Sequence, residues 1–543
     1  MNRTLSIIGY IETGLVLGLS LYVSLITRNE NVIFSSTLLI LSVLFVVARL
    51  TNILFPQQLN RLLLFVLTVY CGFETIYGFS QLFGINYSNN YLFTLTGSFE
   101  NPGPYGGFLA VGISILGAYA LKNKSHLRKH SWTNISYLLL LIVVIASVII
   151  LPSTQSRTAI LALICSAVCF VIRRHRQSMM IYVKKIVKKY GIWIALIATL
   201  CVTTAYLLKK SSADGRLFID KICIMTICNN GLKGAGPGHF GGAYGETQAN
   251  YFYNQIKENG SDELDWTVIN EKERLTAECP GNAFNEYLYI GVEYGPIVML
   301  LSLLVIITAI LISFMRGGVW CYGLIAFAVF AFFSYPLHVK QFQLLIPLLL
   351  VACISEGNST YKREEISCLV VFMISISFIY KQLIPNIRQY EQAVESWKEL
   401  KHWYELEYYD YVVEDAGSLL PFFKNDYYFL YAYGRSLNKT GRYDESDTIL
   451  RLGTKISCNP MFWNLLGSNN LARGKIDEAE NLFKHAFYMV PNRLYPLTLL
   501  AKLYHEEGDM VRFKHAASIV ESFIPKIDSV TTDSLRNDIR KLY

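Results

Sequence analysis

Apolar runs of bilayer-spanning length recur through the first 380 or so residues of this chain, near 5–27, 32–55, 62–83, 105–121, 135–152, 158–172, 191–208, 296–315, 319–335, 341–354 and 366–383. A helix needs about 20 predominantly apolar residues to cross the ~30 Å hydrocarbon core. Helices and closed barrels are the only backbones that satisfy their own polar groups there. With 52% hydrophobic residues in 543 and a positive mean hydropathy, the runs are too many for a soluble core. They predict an all-α, polytopic membrane domain over residues 1–383 with about eleven spans. Met1 to Thr4 lead straight into the first run without a small-residue cleavage site, so that run reads as an anchor.

Short-loop charge gives the orientation, because Lys and Arg are retained on the cytoplasmic side. The loop from Lys122 to Lys129 is basic, and so is the stretch from Arg173 to Arg176 that continues through Lys184, Lys185, Lys188 and Lys189. Both belong inside. Counting spans from them puts the N-terminus inside, and puts the loops near 84–104, 153–157, 209–283 and 335–340, with everything after about residue 384, outside. Much of the +8 net charge is then a topology signal, and no nucleic-acid partner is implied. Seven of the eleven cysteines, Cys71, Cys165, Cys169, Cys201, Cys321, Cys353 and Cys368, fall within the apolar runs. Cys223, Cys228, Cys279 and Cys458 fall outside, where a disulfide is allowed, and a bridge from Cys279 to Cys223 or Cys228 would brace the long loop. No CxxC pair has zinc-like spacing.

Beyond residue 384 the composition turns polar and aromatic. Gly441-Arg-Tyr-Asp-Glu-Ser446, Gly474-Lys-Ile-Asp-Glu-Ala479 and Gly508-Asp-Met-Val-Arg512 recur at a period of about 34, and Pro460, Pro491 and Pro525 close successive units. Glycine at a helix–helix turn and proline ending the second helix resemble tetratricopeptide repeats, with residues 390–425 as a degenerate first unit. A C-terminal α-solenoid over 384–543 is expected, serving as a stability module or as a groove that captures a partner.

Between the seventh and eighth runs the pattern breaks into a polar stretch, 209–283, far longer than an ordinary connection. It holds Arg216 and the glycine-rich run Gly231 to Phe240, which lacks the Gly-Lys-Ser/Thr ending of a phosphate-binding P-loop. The outside turn Pro152 to Thr158 carries Gln155 and Arg157. An interfacial arginine often only snorkels toward headgroups, but two arginines converging from separate segments suit a diphosphate, whose oxygens pair with guanidinium in bidentate fashion. Glu100 and Asn101 lie in the Gly/Pro-rich turn before the fourth run, where Asn101 reads equally as a helix cap.

With Pro280-Gly-Asn-Ala-Phe-Asn-Glu-Tyr287, the order of these elements, from Ser153-Thr-Gln-Ser-Arg157 through Asp214-Gly-Arg216 and Gly234-Ala-Gly-Pro-Gly238 to Tyr335-Pro-Leu-His338, becomes recognisable. It resembles the superfamily of O-antigen ligases, polymerases and protein O-oligosaccharyltransferases over roughly residues 60–355, with the repeats as an appended domain. The resemblance implies a GT-C-like fold in the bacterial inner membrane and a multi-pass topology with a periplasmic C-terminal domain. It implies metal-independent, cofactor-free transfer of a glycan from a polyprenyl diphosphate carrier to an acceptor hydroxyl on a protein or a lipid A core. Arg157 and Arg216 match the two arginines that hold the donor diphosphate, with Asn101, Asn285 and Gln155 in support. The family's ligases usually carry His before the Asn, and here Phe284 precedes Asn285.

That leaves the proton acceptor open among Glu286, His338 and His239, each of which also has a structural reading: Glu286 as a helix cap, His338 as a brace of its short turn, His239 as a loop residue. Repeat-unit polymerisation is the alternative within the same chemistry. A transporter or flippase fits less well, since carriers place polar groups at midmembrane in repeated halves, and a non-enzymatic scaffold leaves both arginines unexplained.

Overall fold

The computed structural model describes residues 2–27, 32–123, 132–174, 210–260, 262–355 and 362–543. The apolar run 191–208 and most of the two basic loops lie outside the described residues. The fold is all-α, and among the described residues there is no strand. Among the described residues, six helices are long and apolar enough to cross a membrane: Ile7–Thr27, Thr37–Leu54, Gln57–Leu82, Pro102–Lys122, Ile135–Thr154 and Glu286–Arg316. They lie within or across α1 (Asn2–Thr27), α2 (Val32–Leu54), α3 (Pro56–Leu82), α4 (Pro102–Lys122), α5 (Trp132–Ile150) and, further on, the helix from Glu286 to Arg316. Helix α6 (Arg157–Arg174) occupies the run at 158–172. Shorter apolar helices occupy the runs at 319–335 and 341–354.

The polar stretch folds as helices: α7 (Lys210–Asn230), α8 (Phe240–Asn259) and α9 (Glu271–Thr276). Next come α10 (Glu286–Arg316), α11 (Trp320–Ala331) and α12 (Lys340–Ser355). A single helix, α13 (Lys362–Glu405), then carries the chain without a break across residue 384. Eight helices follow: α14 (Tyr409–Phe423), α15 (Tyr427–Lys439), α16 (Tyr443–Ile456), α17 (Met461–Ala472), α18 (Ile476–Met489), α19 (Tyr495–Glu506), α20 (Met510–Ser522) and α21 (Val530–Arg540). From α13 onward each packs on the next. Gly441, Gly474 and Gly508 stand at the turns before α16, α18 and α20 with φ of 76°, 73° and 76°, left-handed values that glycine adopts without a Cβ penalty.

The polar stretch and the C-terminal helices share one apolar core, in which Phe218, Phe252 and Ile256 cluster with Phe483, Phe487, Met489 and Phe513. Helix α8 lies across α16 and α18. Its glycines permit the approach, since a Cβ at Gly241 would stand 2.5 Å from the Ile456 carbonyl and one at Gly242 would overlap the Lys455 carbonyl. Cys279 is bridged to Cys458, Cα to Cα 5.2 Å across 179 residues. The bridge to Cys223 or Cys228 that the sequence allowed is not formed: Cys223 is a free thiol inside this core and Cys228 is free and exposed. The bridge fastens the polar stretch to the C-terminal helices instead of closing a loop on itself.

Candidate functional site

Arg157 is the first residue of α6, and Ser156 caps it by accepting from the Ala159 N–H at 3.4 Å. The preceding turn closes through Gln155 in the left-handed region, φ 52°, and the Gln155 side chain is exposed. Arg216 is on α7 because residues 210–230 are helix, and its Nη1 donates to the Phe333 carbonyl at 2.9 Å. The guanidinium also lies 5.3 Å from the centre of the Phe284 ring, within cation–π range. Burial pulls the Arg216 pKa down, and the neighbouring positive charge of Arg157 pulls it further. Two cations from separate helices are thus held near each other in a part-buried place, an arrangement that a multivalent anion relieves.

One turn along α7, Asp220 is the nearby carboxylate. Burial pushes its pKa up to about 6, against the opposing pull of the Arg216 charge and a hydrogen bond from Asn285. Asn285 is also the cap of α10, accepting from the Tyr287 and Leu288 N–H groups at 3.2 and 3.3 Å. The residue before it, Phe284, sits at φ 51°, uncommon for a bulky side chain, and its ring meets Tyr335 edge-on at 5.6 Å. Burial raises the Tyr335 phenol, Arg216 lowers it, and the carboxylate of Glu100 raises it again, so the turn before α4 reaches the same place.

Beside this pair stands a carboxylate–imidazole dyad. Glu286 is 2% exposed. Its Oε1 accepts from the Leu337 N–H at 2.5 Å and faces His338 Nδ1 at 3.3 Å. Tyr289, one turn further along α10, packs edge-on against the imidazole at 4.5 Å. The His338 side chain keeps about 35% of its surface open. Burial lowers its pKa, but the hydrogen bond and charge of Glu286, together with the charge of Glu293, outweigh that, and the net shift is upward. Glu286 therefore positions the imidazole and stabilises its charged form, and His338 is the group with a face free to meet a substrate.

The glycine-rich run docks on a break in α10. Gly295 departs from helical geometry with φ 85°, ahead of Pro296. Ala235 N–H and Gly236 N–H then donate to the Val292 and Glu293 carbonyls at 2.7 and 2.9 Å. A Cβ at Gly234 would stand 2.5 Å from the Gly295 nitrogen, and one at Gly295 would overlap the Leu232 carbonyl. Side-chain Oε1 of Glu293 accepts from Gly238 N–H at 3.0 Å and from the Tyr289 hydroxyl at 2.8 Å. The run is a clamp on the break, which explains its glycines without a phosphate.

Of the residues singled out from sequence, Arg157, Arg216, Asn285, Glu286 and His338 gather at one end of the helices. His239 does not join them: its Nδ1 lies 2.9 Å from the Pro237 carbonyl of its own turn, and among the described residues no hydrogen bond links it to Glu286 or His338. Asn101 is the cap of α4, accepting from Gly103 N–H at 2.8 Å. Asp220, Tyr289 and Glu293 also line this candidate site, and sequence reading passed over them. Asp220 sits at i+4 from Arg216, a spacing that signals one helix face only once 210–230 is known to be helical. Among the described residues no three His, Cys, Asp or Glu side chains are grouped to hold a metal ion.

No protein-family model, no curated protein and no solved structure matches the chain.

Proposed function

We propose that the protein is a membrane glycosyltransferase that moves a glycan from a polyprenyl diphosphate to an acceptor hydroxyl, as a protein O-oligosaccharyltransferase or O-antigen ligase. The observation that carries this reading is the pairing of Arg157 with Arg216, close enough for one charge to depress the other, beside an imidazole held by a buried carboxylate. On this reading, His338 takes the proton from the acceptor hydroxyl as its oxygen attacks the anomeric carbon. The bond from that carbon to the diphosphate oxygen breaks, and the diphosphate departs with the electron pair. Preplaced guanidinium groups stabilise charge where it develops without reorganising, so the arginines act on the leaving group and the dyad acts on the nucleophile.

The same reading assigns a GT-C-like domain of about eleven spans in the bacterial inner membrane, with the site on the periplasmic side and helices α13 to α21 as a tetratricopeptide-like solenoid. The acceptor is a protein or a lipid A core sugar. Deleting the gene and blotting separately for glycoproteins and surface polysaccharide tests it. Lost protein glycosylation with an intact polysaccharide ladder selects the protein acceptor. Accumulated carrier-bound polymer selects the ligase, and single repeat units alone select a polymerase. No change in any of the three overturns the assignment.

A further inference from the structure

The connection from α3 to α4 is turned inside out. Between Phe83 and Phe93 the polar side chains bond back to the protein: Asn86 Nδ2 donates to Ser80 Oγ at 2.9 Å, the Ser88 hydroxyl to the Asn90 carbonyl at 2.6 Å, and Asn89 Nδ2 to the Phe99 carbonyl at 3.2 Å. The apolar side chains are left outside. Phe83, Ile85 and Leu92 are exposed, and the rings of Tyr87 and Tyr91 belong to residues 96% and 93% exposed. A loop surrounded by water sorts its side chains the other way, and apolar groups gathered in one exposed patch mark a surface that meets something else.

Continuity and charge identify what it meets. Along α3, Leu62, Phe65, Val66, Val69, Phe73 and Ile76 are exposed, a spacing that puts them on one face of a helix long and apolar enough to cross a membrane. The patch begins where that face ends. A Cβ at Gly78 would overlap the Tyr105 hydroxyl and stand 2.7 Å from Ile150 Cδ1. The last turn of α3 is therefore level with the first turn of α4 and the end of α5, the rim that also carries Asn101 and Arg157, and the loop leaves the helix at that depth. No Asp, Glu, Lys or Arg occurs from Thr75 to Phe99, so the patch enters a headgroup region without stripping an ion of water and without calling for an anionic lipid. Tyrosine suits that depth, with its ring among the acyl chains and its hydroxyl wet.

We propose that residues 83–93 are an interfacial anchor, seated in the headgroup region of the bilayer that α3 crosses, with Tyr87 and Tyr91 as its principal lipid contacts. The turn that follows is fastened to α3: Gln81 Oε1 accepts from the Thr96 and Gly97 N–H groups at 2.9 and 2.8 Å, and Glu74 Oε2 from the Ser98 N–H at 3.0 Å. Gln341 Nε2 in turn donates to Ser98 Oγ at 3.3 Å. Gln341 is three residues beyond His338, so the anchor fixes the depth of the candidate site along with the end of α3. It rests on α3 as a span and not on what the site transfers.

The test reads depth in the full-length protein, reconstituted in nanodiscs of phosphatidylcholine whose acyl chains are brominated either near the headgroup or near the chain end. Tyr87→Trp and Tyr91→Trp exchange one aromatic ring for another at exposed positions, and their fluorescence is taken as the excess over wild type. Phe65→Trp, on the exposed face of α3, is the reference for a ring within the span. Each loop tryptophan is expected to lose about half of its excess emission to bromine near the headgroup, and less to bromine near the chain end. Phe65→Trp should show the reverse order. Full emission from both loop tryptophans while Phe65→Trp is quenched overturns the anchor alone. Full emission from all three removes the span assignment of α3 together with the anchor. Loop tryptophans that stay unquenched but shift to the blue, in a protein that mass photometry shows to be a dimer, mean that a second copy covers the patch, which also overturns the proposal.

Discussion

His338 and Glu286, 52 residues apart in the chain, meet at 3.3 Å between Nδ1 and Oε1, and the same carboxylate oxygen also holds the backbone N–H of Leu337. The imidazole is thereby fixed to the start of α10 by a group with almost no contact with solvent. In the proposed transfer, a base oriented this way works when neutral, so its pKa would set the acid side of the pH profile.

Glu286 raises the His338 pKa. A raised imidazole pKa means that the ion-pair stabilisation is fully present below the unfolded value and is lost as pH rises through the folded value. Activity runs the opposite way, rising as the proton leaves. Glu286→Gln is expected to move the acid limb of kcat to lower pH, with KM for the donor little changed, and His338→Ala to lower kcat by about 10²–10⁴-fold. A pH–rate series on the purified variants checks both.

Asp220 is pushed up to about 6, so the folded protein holds this proton more tightly than the unfolded chain does. Wild-type stability therefore falls as pH rises from the ordinary carboxylate range to about 6, and this contribution is level above that. Asparagine does not titrate and lacks the slope. Thermal melts of Asp220→Asn against wild type should favour the variant more at pH 8 than at pH 4.5; a difference independent of pH contradicts this.

The clamp on α10 gives a sharper structural prediction. Alanine at Gly295 would need φ 85° and a Cβ overlapping the Leu232 carbonyl. Gly295→Ala should destabilise by about 2 kcal/mol or more and reduce transfer, because Tyr289 and Glu293 sit on the same turns as the break. Gly215→Ala, inside helix α7 where a Cβ meets nothing within 4 Å, is the matched control and should keep or slightly raise the melting temperature, since alanine is favoured over glycine in an open helical position.

Breaking the Cys279–Cys458 bridge releases the polar stretch from the C-terminal helices. Cys458→Ser is expected to lower stability by about 2–4 kcal/mol, measured by denaturant melts without reductant. Wild type with reductant should match it, and Cys228→Ser, at a free and exposed thiol, should leave stability near wild type.

What the sequence disclosed follows from which features are local. Apolar runs announce helices through composition alone, and the glycines at 441, 474 and 508 marked turns that the structure places between packed helices. Arg157 and His338 stood out because each is a polar group at the edge of an apolar run, and Arg216 because it lies early in the polar stretch. The disulfide partner was not legible because Cys279 pairs with a residue 179 positions away, a contact set by how α8 lies on α16 and α18. Asp220 was missed because the polar stretch lacks the apolar stripe that declares a helix; its helices bury against the C-terminal helices, a surface the local sequence does not contain. Glu293 lies just ahead of the apolar run at 296–315, and its place in the candidate site comes from the Tyr289 hydroxyl and the Gly238 N–H, a meeting beside the Gly295 break.

Transfer from a synthetic polyprenyl-diphosphate glycan to a Ser/Thr peptide or a lipid A core, compared among wild type, Arg157→Ala and Arg216→Ala at matched membrane expression, decides whether the two arginines grip a diphosphate. Each single variant is expected to lose transfer by about 10²-fold or more while its melting temperature stays near wild type. Full activity in both variants would contradict the diphosphate assignment and, with it, glycan transfer at this site.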